Sequence, residues 1–201
     1  NKLNGVLIQG GGIDLQKDGK ITEYQSIMEN VYNIALDFNK NGDYFPVWGT
    51  CLGFESLAIW ASQNPNFLGH DIDQNRHHNI KFTADDTKLK SALSHDVIKY
   101  VEHDGGFYFN HHDIISTDNY MQDAKFTDFF KVGAVSSDEQ GKPFLATIEG
   151  KQYPFYGTQF HPEKNAFEWN TSINAKHTPM AVLASQQIAN FFVKEALKNS
   201  H

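Results

Sequence analysis

The sequence predicts an α/β fold, a mostly parallel central sheet flanked by helices with a small antiparallel strand section. Three observations lead there. Residues 45–48 form a short apolar run, turn sharply through Gly49-Thr50-Cys51-Leu52-Gly53, and give way to Phe54, Leu57, Ala58 and Ala61 at helical spacing. A strand-like stretch at 3–9 and a helical stretch at 21–39 precede that unit, so strand and helix alternate as in a parallel sheet covered by helices. Residues 132–137 and 143–149 read as strands around Gln140-Gly141, a connection short enough to make them antiparallel.

Composition bounds the class. With 201 residues, 40% of them apolar, the chain suits one domain, 1–201, with a core of its own. Sixteen phenylalanines and eight tyrosines argue against disorder. No run of about eighteen apolar residues occurs, so no membrane span is expected. One arginine, Arg76, and no basic tract leave no electrostatic footprint for nucleic acid.

In chain order, residues 3–9 read as a core strand running into Gly10-Gly11-Gly12, where glycine permits a backbone that a Cβ resists. Residues 13–15 lack the later glycine of a dinucleotide fingerprint. Tyr24, Ile27, Met28, Val31, Ile34, Ala35 and Phe38 form one apolar stripe that should pack on the sheet. Asn41-Gly42 ends that helix. Residues 64–90 read as polar and loop-like. His70, His77 and His78 lack the spacing of a zinc set, so no metal is expected. Residues 91–103 read as a helix capped by Ser94 or Ser91. Residues 107–112 form an aromatic strand ending in His111 and His112, and 125–131 a short helical segment. Phe167 and Trp169 either wall a cleft or pack in the core, and 180–197 is a closing amphipathic helix.

The chemistry centres on Cys51, the only cysteine. At a strand-to-helix turn between two glycines it has the setting of a nucleophile elbow, and the helix N-terminus favours its thiolate. A thiol nucleophile needs a base, and the base needs an orienting group. Residues 155–160 deliver His161 to a strand end, and Pro162 keeps it out of the helical region. In extended backbone His161 and Glu163 share a face, so the carboxylate can hold the imidazole in one tautomer. Glu55 lies one turn beyond Cys51 on the same helix face.

Gly-x-Cys-x-Gly followed by His-Pro-Glu resembles the class I glutamine amidotransferase-like fold, which is flavodoxin-like. The wider segments PVWGTCLGFE at 46–55, YGTQFHPEKNAFEW at 156–169 and NGVLIQGGGIDL at 4–15 resemble the gamma-glutamyl hydrolase family, cysteine peptidases that trim folate polyglutamates. The resemblance runs through nearly all of the chain and is weak from about 69 to 104. It implies a Cys51–His161–Glu163 triad, an oxyanion hole from the Gly11 and Leu52 N–H groups, and a substrate-side or structural role for Glu55. It aligns His111 with an active-site histidine, His112 being the competing position. It implies a small γ-glutamyl substrate and no cofactor. It also implies an earlier strand, helix and strand, roughly sixty residues. The chain is therefore expected to be a fragment, a processed product or an incomplete record. A second peptide could complete the domain, and a homodimer is possible.

Charge adds a compartment. The net charge is −7, and ten protonated histidines bring it to +3. An anionic substrate then suits an acidic site, a lysosome or vacuole, or a secreted protein whose signal lies outside this sequence. Polyglutamate binding should tighten from pH 7 to pH 5, and a flat profile would exclude this. Asn170-Thr171-Ser172 is a glycosylation sequon and fits a secretory route. Two other readings use the same residues: a glutaminase subunit that passes ammonia to a synthetase, and a catalytically silent scaffold or binding protein.

Overall fold

The structure, a computed structural model, describes residues 3–199. The chain opens with β1 (Val6–Ile8), a ribbon of β2 (Gln16–Lys17) and β3 (Lys20–Ile21), and helix α1 (Glu23–Lys40). The Thr22 hydroxyl caps α1 by accepting from the Gln25 N–H. Strand β4 (Val47–Thr50) turns at Cys51 into α2 (Leu52–Ser62). Next come β5 (Gly69–His78), β6 (Lys81–Phe82), α3 (Lys88–Ala92) and α4 (His95–Lys99), which widens into a π turn at Tyr100–Asp104. Strand β7 (Phe107–Ile114), α5 (Thr117–Gln122) and α6 (Ala124–Phe129) lead to β8 (Phe130–Ser137), β9 (Pro143–Gly150) and β10 (Phe155–Thr158). Helices α7 (Lys164–Phe167) and α8 (Pro179–Ala196) close the fold.

Six strands form the main sheet in the order β1-β4-β10-β9-β8-β6. The β1, β4 and β10 strands are parallel, and the rest of the sheet continues antiparallel. The β5 and β7 strands pair separately as an antiparallel ribbon. Alternation along the strands divides the core. Val47 and Phe155 face α1, α2 and α6 with Tyr32, Phe54, Leu57 and Phe126. Trp48 and Tyr156 face α8, where Phe191 meets the Tyr156 ring edge-on at 4.9 Å. Burying each such aromatic side chain contributes about 1.5–3 kcal/mol.

Four expectations change. The stretch at 3–9 supplies only a three-residue strand at the sheet edge, and Leu7 is 53% exposed rather than in the core. On α1 the inward face is Gln25, Tyr32 and Ala35, while Ile27 and Ile34 face out. The reason is Ser56 on α2: its Oγ donates to Gln25 Oε1 (2.7 Å) and accepts from the Tyr32 hydroxyl (3.0 Å). A polar seam therefore displaces the apolar stripe. The loop expected at 64–90 contains the ten-residue β5, whose polar sequence shows no alternation because it lies outside the main sheet. The single helix expected at 91–103 is two, capped by Thr87 and by Ser94, with Ser91 inside α3.

Candidate active site

Three neighbouring parallel strands end at one place, where open α/β sheets bind ligands. The β1 strand leads to Gly10–Gly12, β4 to Cys51 and β10 to His161. Backbone proximity explains the glycines around the cysteine. A Cβ on Gly53 would lie 2.4 Å from the Ile8 carbonyl oxygen, and one on Gly49 would lie 2.5 Å from the Gly53 carbonyl. Helix α2 can begin against β1 and β4 only because both positions lack side chains.

Cys51 pays for this turn in strain: its φ is +51° and ψ is −108°, a region that costs a residue with a Cβ about 1–3 kcal/mol. Its N–H donates to the Thr158 carbonyl (2.8 Å) and its carbonyl accepts from the Glu55 N–H (2.9 Å), so β10 and α2 hold it. This is the elbow that the spacing predicts. The Leu52 and Gly11 N–H groups favour the thiolate, and Sγ donates to the Asn110 carbonyl at 3.6 Å. Burial nevertheless pushes the thiol up, outweighing those two N–H groups. The expected lowering by the helix N-terminus is present in the Leu52 N–H but outweighed: at 4% exposure, lost hydration dominates.

His161 is buried at the end of β10, its N–H donating to the Tyr108 carbonyl (2.8 Å). Its Nδ1 lies 2.8 Å from Glu163 Oε1, while the buried Nε2 makes no hydrogen bond. With the carboxylate ionised, Nδ1 carries the proton and Nε2 is the basic atom. Burial works against the Glu163 carboxylate, but the His161 hydrogen bond and charge bring it below the usual range.

Cys51, Leu52, Glu55, Gly11, His111 and His161 all line one cleft of about 690 Å³, and Glu163 stands behind His161. Glu55 is buried, and Gln159 Nε2 donates to it at 2.8 Å. Burial pushes its carboxyl up to about 8, against the lowering by Gln159. His111 is buried with its ring against Phe144, whereas His112 is exposed and 2.6 Å from the Gln74 side chain. Both line the cleft. Phe167 and Trp169 are 78% and 68% exposed and belong neither to this cleft nor to the core. Sequence reasoning missed Gln159 and the Asn110 carbonyl. Gln159 carried a faint signal, a polar residue inside the apolar run that delivers His161. Among the described residues, no group of His, Cys, Asp and Glu is arranged to hold a metal ion, and no helix is long and apolar enough to cross a membrane.

Fold and site together define a class: an α/β domain with a buried cysteine on an elbow at the end of a parallel sheet and a histidine–carboxylate pair on the neighbouring strand. The sequence profile described as "Glutamine amidotransferase class-I" matches residues 2–178, and the chain belongs to that family. It is 32% identical over 202 residues to "Gamma-glutamyl hydrolase B" of Dictyostelium discoideum, covering 100% of this chain and 57% of that protein. It is 35% identical over 201 residues to "Gamma-glutamyl hydrolase" of Rattus norvegicus, covering 99% of this chain and 62% of that protein. The chain thus spans about three fifths of the length of these curated relatives. A solved structure described as a "putative gmp synthase subunit a protein" from Thermoplasma acidophilum superposes with a TM-score of 0.56 at 16% identity, covering 98% of this chain and 75% of that one. That likeness bears on the fold alone.

Proposed function

We propose that this chain carries the catalytic residues of a cysteine hydrolase that cleaves γ-glutamyl isopeptide bonds, those of folate polyglutamates or related γ-glutamyl peptides. The observation that supports it most is the convergence on one sulfur: the Leu52 and Gly11 N–H groups favour the Cys51 thiolate, and His161, held from behind by Glu163, lines the same cleft. The relatives named gamma-glutamyl hydrolase, aligned along the whole chain, support the bond type.

Attack begins with the Cys51 thiol proton passing to His161 Nε2. The thiolate adds to the γ-carbonyl carbon, and the resulting oxyanion accepts from the Leu52 and Gly11 N–H groups. One such donor is worth about 2.7–4 kcal/mol of barrier. The imidazolium returns its proton to the departing α-amine as the C–N bond breaks, leaving a thioester. Water then loses a proton to Nε2 and attacks the thioester carbon. The C–S bond breaks and Cys51 regains the proton. Glu163 holds Nδ1–H throughout and stabilises the charged ring. These steps use no metal or organic cofactor.

Hydrolysis of a pteroyl-poly-γ-glutamate by this protein and by Cys51→Ala, with glutamine as a parallel substrate, tests the proposal. Cleavage of the γ-glutamyl chain that disappears in Cys51→Ala is expected. Glutamine turnover without such cleavage would replace the hydrolase with a glutaminase, and no turnover of either would favour the silent scaffold.

A further inference from the structure

Of the three glycines after β1, only Gly10 would direct a Cβ at the reacting side chains. A Cβ built there would lie 2.6 Å from His161 Cε1, 3.4 Å from His161 Nδ1 and 3.3 Å from Cys51 Cβ. Gly11 would meet only a Leu52 methyl at 3.2 Å, and Gly12 would meet nothing within 4 Å. None of the three is in the left-handed region, so their expected conformational role is not the one observed. Gly10 is required for space and not for its φ.

We propose that Gly10 is a positioning residue that sets the approach of His161 to Cys51, the imidazole edge lying in the volume that any Cβ at position 10 would fill. This deepens the proposed function and rests on reading Cys51 and His161 as the reacting pair. A separation of 2.6 Å forces something to shift, and the ring is the part with least room. Its Nδ1 is tied to Glu163 at 2.8 Å, and its backbone N–H to the Tyr108 carbonyl at 2.8 Å. The ring cannot retreat from a methyl at position 10 without turning Nε2 or loosening the Glu163 bond. On the other side the same methyl presses on Cys51, which the elbow holds rigidly at φ +51°. The gap between base and thiol is therefore fixed from the glycine turn as well as from Glu163.

Four proteins test this: the wild type, Gly10→Ala, His161→Ala and the double variant. Melting temperature is measured for each, with the rate of Cys51 alkylation by iodoacetamide between pH 5 and pH 9. Gly10→Ala is expected to slow alkylation at neutral pH on the order of a hundredfold, because small misplacements of reacting groups carry large rate costs. It should also lower the melting temperature. Both effects should largely vanish in the His161→Ala background, where the obstructed ring is gone. Equal effects of Gly10→Ala in the two backgrounds would overturn the proposal. If Gly10→Ala does not fold, the double variant decides: a folded double variant supports the steric coupling, and an unfolded one overturns it. If His161→Ala leaves the alkylation profile unchanged, the Cys–His reading itself falls, and the role of Gly10 falls with it.

Discussion

The Cys51 elbow and the β5–β7 ribbon face each other across one cleft, and they are held by opposite means. At the elbow, backbone packs on backbone: Ile8, Gly49 and Gly53 approach so closely that no Cβ fits, and α2 is buried on almost every side. The ribbon is fastened by side chains. Asn75 Oδ1 accepts from the Asn174 N–H (2.6 Å), and His77 Nε2 accepts from the Lys176 N–H (3.1 Å). His70 and Asp113 form an exposed pair at 3.2 Å. The wall bearing the nucleophile is thus fixed by sterics, whereas the opposite wall depends on groups that titrate.

Breaking the first wall should have the largest effect. Gly53→Ala places a Cβ 2.4 Å from the Ile8 oxygen and should cost about 3 kcal/mol, since backbone on both sides resists relaxation. On the ribbon, Arg76→Ala removes only an exposed 3.1 Å pair with Glu139 and should stay within about 0.5 kcal/mol. Urea unfolding of the two variants checks the contrast, and similar losses would break it. Next in size is Glu163→Gln. It keeps the volume of a half-exposed side chain but removes the charge that orients Nδ1–H. Activity should fall on the order of a hundredfold with the melting temperature almost unchanged. A matching loss of stability would mean that Glu163 is structural.

What the sequence revealed follows the same division. The turn at Cys51 was legible because Gly49 and Gly53 are local signals, and His161 because a proline and a carboxylate follow it directly. The β5 strand was not legible: Gly69–His78 has neither alternation nor apolar content, and only pairing with β7, far along the chain, makes it one. Gln25 and Tyr32 were missed for a similar reason, since their burial depends on Ser56, a partner invisible to periodicity along α1. The opposing effect of burial on the thiol was not legible, because helix position is local and burial is not.

The two walls should also respond to pH in opposite directions. Burial raises the Glu55 carboxyl to about 8 in the folded protein, above its usual value. A raised folded pKa contributes stability that is complete below the unfolded value and is lost as pH rises through about 8. Glu55→Gln keeps an oxygen acceptor for Gln159 and cannot ionise. Its melting temperature should therefore gain on the wild type as pH rises from 5 to 9, and parallel curves would remove Glu55 as the source.

The smaller of the two pH effects is expected on the ribbon. Burial, with the nearby Lys176 charge, lowers His77 to about 4. Its geometry requires the neutral ring: Nδ1 donates to the Gly105 carbonyl (3.3 Å) while Nε2 accepts from the Lys176 N–H. A depressed histidine contributes stability present above the unfolded pKa near 6.5 and lost as pH falls through about 4. The ring is only partly buried, so solvent screening keeps the effect below about 1 kcal/mol. Hydrogen exchange should show it locally. Protection of the Lys176 amide should drop between pH 6.5 and pH 4, while protection of the Cys51 amide, bonded to Thr158, should hold. In His77→Gln the pH dependence at Lys176 should disappear. A drop shared equally by both amides would mean that the two walls open together, and the contrast between them would fail.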